Sequence, residues 1–228
     1  MPGIFLDTGN IEEIRKYHQM GIIRGVTTNP TILLRQGITG GVEAIKKCTT
    51  DIAEYIDPLP LSIEVTTNDV RDMISEAKLM ATWGPNINVK VTIHGPNGET
   101  ENLKVIHELE NDYDVRVNVT AMMSAQQCLL AAMAGATYVS LFGGRVNNMG
   151  YNTNNEIRIL RDLLDQFGLP SEIIVGSTRE ILNIVEWLHA GAHIVTATPD
   201  LLNGMIVHPY SKETVRMFLE DAKKVNEK

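Results

Sequence analysis

The chain has 228 residues and a mass of 25.3 kDa; 43% of it is hydrophobic and 21% charged, which excludes a long disordered or low-complexity protein. Twenty Lys and Arg stand against 28 Asp and Glu, a formal charge of −8 with pI near 5.3, which argues against nucleic acid and anionic membrane as partners. Cys48 and Cys128 are the only cysteines, too few for a disulfide framework or a four-ligand zinc site, and they fit a reducing compartment.

The chain opens Ile-Phe-Leu-Asp-Thr at 4–8, with no basic segment before it and no long apolar run behind it. No secretory signal and no membrane span is therefore expected, and the expected location is cytoplasmic. From there, β-rich runs and amphipathic stretches alternate. Strands are predicted at 4–6, 25–27, 61–65, 88–91, 116–119, 137–140, 173–176 and 193–196. Helices are predicted at 11–20, 42–55, 69–82, 124–134, 155–167, 179–189 and 211–224. Ile157, Leu160, Leu163 and Leu164 show the helical period. Gly135 and Gly191 each sit in an Ala-Gly-Ala triplet before a strand, where helices should end.

Eight strands alternating with helices predict an α/β protein, a (β/α)8 barrel spanning 1–228 as one domain. No Pro-, Gly- or Ser-rich linker divides it. A doubly wound open sheet is the alternative. It would normally need fewer strands, and no Gly-x-Gly-x-x-Gly turn follows the first one.

Three successive strands carry the strongest signal. Ser62 and Glu64 alternate with Leu61, Ile63 and Val65; Asn88, Lys90 and Thr92 with Ile87, Val89 and Val91; Arg116, Asn118 and Thr120 with Val115, Val117 and Val119. Alternate side chains face opposite ways along a strand. Helices between the strands imply parallel pairing, so the apolar rows should lie under the helices and the polar rows should point into the lumen. A polar lumen is costly to build. An active site at the C-terminal strand ends explains it.

Lys90 is the sharpest candidate. A lysine buried on a strand becomes a free amine at neutral pH and can form a Schiff base with a carbonyl. The competing readings are a solvent-facing edge lysine and a structural ion pair with Glu64. Glu64 can shuttle protons, directly or through a water held with Thr120. Asp7 can take a hydroxyl proton beside a reacting carbonyl, or cap the helix at 11–20, a place that suits Asn10 better. Asn29, before Pro30, reads as a cap and turn. Arg145 follows the sixth strand and Ser177-Thr178-Arg179 the seventh, where barrels bind phosphate. Surface ion pairs are the plainer explanation for each arginine alone. His189 and His193 are split by Gly191, and no metal site is expected.

In order along the chain, Ile-Phe-Leu-Asp-Thr at 4–8, Gly-Val-Thr-Thr-Asn-Pro at 25–30, Asn-Val-Lys-Val at 88–91, Val-Asn-Val-Thr at 117–120, Ala-Gly-Ala-Thr-Tyr-Val-Ser at 134–140 and His-Pro at 208–209 resemble the small transaldolase family, which includes the fructose-6-phosphate aldolases. The resemblance implies a class I aldolase mechanism with no metal or other cofactor. Lys90 would form the Schiff base with a ketose. Asp7 would take the C4 hydroxyl proton as the C3–C4 bond breaks. Glu64 and Thr120 would hold the relaying water. Asn29 and Asn118 would grip the dihydroxyacetone part, with Ser140 beside them and Thr28 among the substrate-binding residues. Phe142 would lie beside it, and Arg145, Ser177 and Arg179 would take the phosphate.

Glu64 and Phe142 stand where the aldolase branch carries Gln and Tyr, so the resemblance favours the transaldolase branch, a transferase of the pentose phosphate pathway acting on sugar phosphates. An aldolase releasing free dihydroxyacetone, a related enzyme for a different ketose, and a sugar-phosphate-binding module without turnover are the alternatives. The resemblance also implies a ring-like homo-oligomer, pentamer or decamer, with the helix at about 211–226 reaching a neighbour. The segment after Lys90, Val-Thr-Ile-His-Gly-Pro-Asn-Gly-Glu, is longer than the family's usual turn and predicts an altered pocket mouth.

Overall fold

The computed structural model describes residues 3–226. Its strands are β1 (Gly3–Asp7), β2 (Val26–Thr27), β3 (Leu61–Glu64), β4 (Ile87–Thr92), β5 (Val117–Met122), β6 (Tyr138–Leu141), β7 (Glu172–Val175) and β8 (Ile194–Ala197). They pair in parallel in that order, and β8 returns to β1 to close a barrel. Around them run α1 (Ile11–Gln19), α2 (Pro30–Arg35), α3 (Gly41–Ile56), α4 (Val70–Ala81), α5 (Asn102–Asn111), α6 (Ala125–Met133), α7 (Gly143–Asn148), α8 (Thr153–Phe167), α9 (Ile181–Ala190), α10 (Pro199–Ile206) and α11 (Pro209–Asn226). This is the expected single-domain (β/α)8 barrel.

Four of these helices, α2, α5, α7 and α10, are not among the predicted ones. Three span only six to eight residues, too few for a period to show. The fourth, α5, starts without a side-chain cap, so the usual start signal is missing. Asn10 accepts hydrogen bonds from the amides of Glu12 and Glu13 and starts α1, which leaves Asp7 free of that duty.

The alternation resolves as expected for a polar lumen. Leu61, Ile63, Val89, Val91, Val117 and Val119 are buried in the core shared with helix residues such as Ile52, Met73, Ile106 and Cys128. The opposite rows meet inside the barrel, where Asn118 Nδ2 donates to Ser62 Oγ at 3.0 Å. A smaller apolar cluster, Phe5, Ile174 and Ile194 against Tyr138, fills the barrel between β1, β6, β7 and β8. Gly25 makes room for that cluster, because a Cβ there would come within 2.7 Å of the Phe5 ring. Among the described residues, no helix is long and apolar enough to cross a membrane.

Candidate active site

A cavity of about 510 Å3 opens at the C-terminal strand ends, the place where barrel loops converge. Asp7, Asn29, Glu64, Lys90, Thr120, Ser140, Phe142, Arg145, Ser177 and Arg179 line it. Ten candidates spread over 173 positions of sequence are thus brought to one pocket.

Register does much of this. Glu64 and Lys90 are paired residues of β3 and β4, and Lys90 pairs with Asn118 of β5. Lys90 is 6% exposed. Its Nζ lies 2.9 Å from Glu64 Oε2 and donates to the Thr28 carbonyl oxygen at 2.8 Å. The lysine is therefore an inward, held amine, and the edge-strand reading is excluded. The ion pair and the nucleophile readings share one geometry, since the carboxylate beside Nζ is also the nearest base for its proton.

Asp7 ends β1 with Oδ1 accepting from Thr27 Oγ1 at 2.7 Å. Burial pushes its carboxyl above the usual range; the Thr27 hydroxyl and the Lys90 charge pull it partly back. A carboxylate with raised proton affinity, beside an amine, suits a general base. Thr120 Oγ1 and Ser177 Oγ are buried with no hydrogen-bond partner among the described residues, and both residues line the cavity. Buried hydroxyls are rarely left so.

Backbone strain concentrates here as well. Ala121 and Ser177 hold φ of 61° and 58° without being glycine, a conformation costly to β-carbon residues and common at functional sites. Ala121 lies where β5 slips its register against β6. Gly144 lets α7 touch the loop that carries Ser177, because a Cβ on it would meet the Ser177 carbonyl oxygen. That approach brings Arg145, whose guanidinium sits 5.6 Å from the Phe142 ring centre, towards Ser177 and Arg179.

Two of the candidate residues lie outside the cavity lining. Thr28 and Asn118 are fully buried and do not line the cavity. Thr28 Oγ1 is turned to the Ser62 carbonyl, and only its own carbonyl oxygen serves the site, by holding Lys90. Asn118 lies beneath the floor, donating to Ser62 and accepting from Ser140 Oγ at 2.6 Å. It braces Ser140 through that bond. Asn29 Oδ1 caps α2 by accepting from the Ile32 amide, and the residue also lines the pocket. The long segment after Lys90 forms a turn of its own. It closes on itself, with the Gly95 amide donating to the Glu99 carbonyl and Glu99 accepting from Asn97, and it stays out of the cavity lining.

Sequence reasoning missed Thr27, Arg35, Thr196 and Thr198, which also line the cavity. Alternation along β8 carried the signal for the last two. Arg35 needed α2, which the pattern hid. Among the described residues, no group of three or more His, Cys, Asp or Glu is placed to hold a metal ion.

Comparison with known proteins bears on this pocket. Residues 4–228 match the family described as Transaldolase/Fructose-6-phosphate aldolase. The chain is 36% identical over 217 residues to a Listeria monocytogenes protein named "Probable transaldolase 2", covering 95% of this chain and 94% of the relative. It is 35% identical over 224 residues to "Probable transaldolase 1" of Bacillus cereus, covering 98% and 99%. Among solved structures, a thiamine phosphate pyrophosphorylase from Pyrococcus furiosus superposes with a TM-score of 0.58 at 12% identity, over 86% of this chain and 85% of that one, which speaks to the barrel alone. The whole-chain match and these identities together place the protein: it belongs to the transaldolase/fructose-6-phosphate aldolase family.

Proposed function

We propose that the protein is a Schiff-base transaldolase. It moves a dihydroxyacetone unit from a ketose phosphate, fructose 6-phosphate or a close relative, to an aldose phosphate. The observation that carries this reading is Lys90, buried in the lumen 2.9 Å from Glu64, in one cavity with Asp7 and two arginines.

Glu64 takes a proton from the Lys90 ammonium, and the free amine attacks C2 of the ketose. Glu64 then returns a proton to the departing hydroxyl, with a water between Glu64 and the otherwise unpartnered Thr120 hydroxyl as carrier. The iminium that forms is the electron sink. Asp7 removes the C4 hydroxyl proton, the C3–C4 bond breaks, and its electrons make the enamine while the aldehyde leaves. An incoming aldehyde reverses these steps, and hydrolysis of the final iminium frees Lys90. The test is borohydride trapping with fructose 6-phosphate, read by peptide mass spectrometry, with and without erythrose 4-phosphate. A reduced dihydroxyacetone adduct on Lys90 that disappears with the acceptor is expected. Release of free dihydroxyacetone without acceptor would assign the aldolase branch, and absence of any adduct across a ketose panel would overturn the reading.

Arg145, Ser177 and Arg179 hold the phosphate. A charged hydrogen bond contributes about 1.5–3 kcal/mol, so Arg145→Ala should lower kcat/KM for a phosphorylated donor roughly 10- to 150-fold. The unphosphorylated ketose should hardly notice the change. Steady-state kinetics on the two donors check this.

The reading extends to assembly in the cytoplasm as a homo-oligomer. None of the residues of α11 is buried, and Val215, Met217, Phe218 and Leu219 are 51–61% exposed. An 18-residue helix with this much bare apolar surface needs a cover, and a second copy of the chain provides one. A chain ending at Val207 should sediment as a smaller species than the full-length protein; an unchanged mass would remove α11 from the interface.

A further inference from the structure

The eighth strand supplies the site with Thr196, 7% exposed and on the cavity wall. Its Oγ1 lies 2.5 Å from Thr27 Oγ1, and Thr27 Oγ1 lies 2.7 Å from Asp7 Oδ1. A threonine hydroxyl has one hydrogen and two lone pairs. An ionised Asp7 can only accept, so Thr27 gives its hydrogen to Asp7. The contact with Thr196 then has one sense, with Thr196 donating and Thr27 accepting. Strands β8, β2 and β1 are thus joined by a directed chain, Thr196 to Thr27 to Asp7.

We infer that Thr196 is a positioning residue for the Asp7 base, acting through Thr27 to hold the carboxylate ionised and aimed at the substrate hydroxyl. A donor at the far end of a hydrogen-bond chain polarises each bond along it. Bonds to a charged acceptor gain most. The counterpressure is real: burial pushes Asp7 towards its protonated form, and the Glu64 carboxylate pushes the same way. Lys90 opposes them by charge and Thr27 by its hydrogen bond; Arg35, Arg145 and Arg179 stand on the same cavity wall. Thr27 can give Asp7 a strong bond only if its own oxygen is supported, and Thr196 is the group that supports it. The chain occupies Oδ1. The proton taken from the substrate then goes to Oδ2 and is returned to the acceptor's oxygen from there, so each turnover leaves the two hydroxyls as it found them.

This inference rests on the Schiff-base reading for its catalytic consequence, but not for its physical one. The experiment therefore pairs pH profiles of kcat/KM with a 13C NMR titration of the Asp7 carboxyl in the unliganded protein, for wild type, Thr196→Val and Thr196→Ser. Thr196→Val keeps the shape and loses the donor. Its acid limb and its Asp7 titration should both move up by about half a pH unit to one unit. KM and the yield of borohydride-trapped donor should hold, because Schiff-base formation precedes the step that uses Asp7. Thr196→Ser should restore the wild-type profile. An unmoved limb and titration in Thr196→Val overturn the inference, and so does a serine variant displaced as far as the valine one, which would mark a packing role. If the valine variant fails to fold, Thr196→Ala carries the same expectation. If the wild type turns over no ketose, the Schiff-base reading falls, and the NMR titration alone decides the relay.

Discussion

Lys90→Met is expected to abolish turnover and, with it, the borohydride-trapped adduct. Among the candidate residues on the cavity wall, Lys90 alone carries an amine, and the methionine stem replaces its bulk without a nucleophile. The same change strands two partners. Glu64 loses the cation 2.9 Å away, with its side chain only 17% exposed, and the Thr28 carbonyl loses its donor. Breaking a buried pair from one side costs about 3–5 kcal/mol, a large part of the roughly 5–15 kcal/mol that hold a domain together. The variant should therefore be folded but melt lower, as thermal unfolding by circular dichroism would report. Adding Glu64→Gln should recover part of the lost stability, because it removes the stranded charge, and should recover none of the activity. Turnover retained by the single variant would overturn the covalent mechanism outright. A melting temperature that does not change would show that the Lys90–Glu64 pair is poised for chemistry and contributes little to the fold.

The barrel was legible because its units repeat. Alternating Ser62, Glu64, Asn88, Lys90, Asn118 and Thr120 carried both the strand positions and the polar face, and that regularity is a property of the backbone that sequence displays directly. Depth along the lumen was not legible in the same way. Asn118 and Lys90 sit on neighbouring paired positions, yet one lies beneath the floor and the other reaches the cavity. The difference comes from side-chain length and from Ser62 and Ser140 closing over the asparagine. Thr28 shows the same limit: its neighbour Thr27 faces the lumen, so Thr28 faces away, and its carbonyl reaches Lys90. The long segment after Lys90 looked like a pocket insertion because it follows the key strand. Its Pro-Asn-Gly turn and the Asn97–Glu99 contact fold it on itself, and none of its residues lines the cavity. Arg35 and the Thr196–Thr27 contact depend on short helices and on closure of β8 against β1, which no window of sequence contains.

Asp7→Asn should stop carbon–carbon cleavage while sparing Schiff-base formation, and it should make the protein more stable at neutral pH. General-base catalysis by a placed carboxylate contributes about 10²–10⁴-fold, and a carboxamide has no basicity to offer. The adduct trapped from such a variant would carry the whole ketose, where the wild type yields the three-carbon fragment, and intact mass separates the two. The stability effect follows from the carboxyl's position. Burial outweighs the Thr27 hydrogen bond and the Lys90 charge, so the folded protein binds Asp7's proton more tightly than its ordinary value of 3.8. A group of this kind favours the folded state when protonated. That advantage is complete below the unfolded value and is lost as pH rises through the higher folded value. At neutral pH the ionised Asp7 is therefore a burden on the fold that asparagine lifts, while Oδ1 of the amide still accepts from Thr27. The gain in melting temperature should shrink as pH falls and vanish below the ordinary carboxylate range. A variant destabilised at neutral pH, or equally stabilised at every pH, would mean that Lys90 and Thr27 already compensate the buried charge. A trapped three-carbon fragment from Asp7→Asn would assign the proton abstraction to another group, for which Glu64 is the nearest carboxylate on the cavity wall.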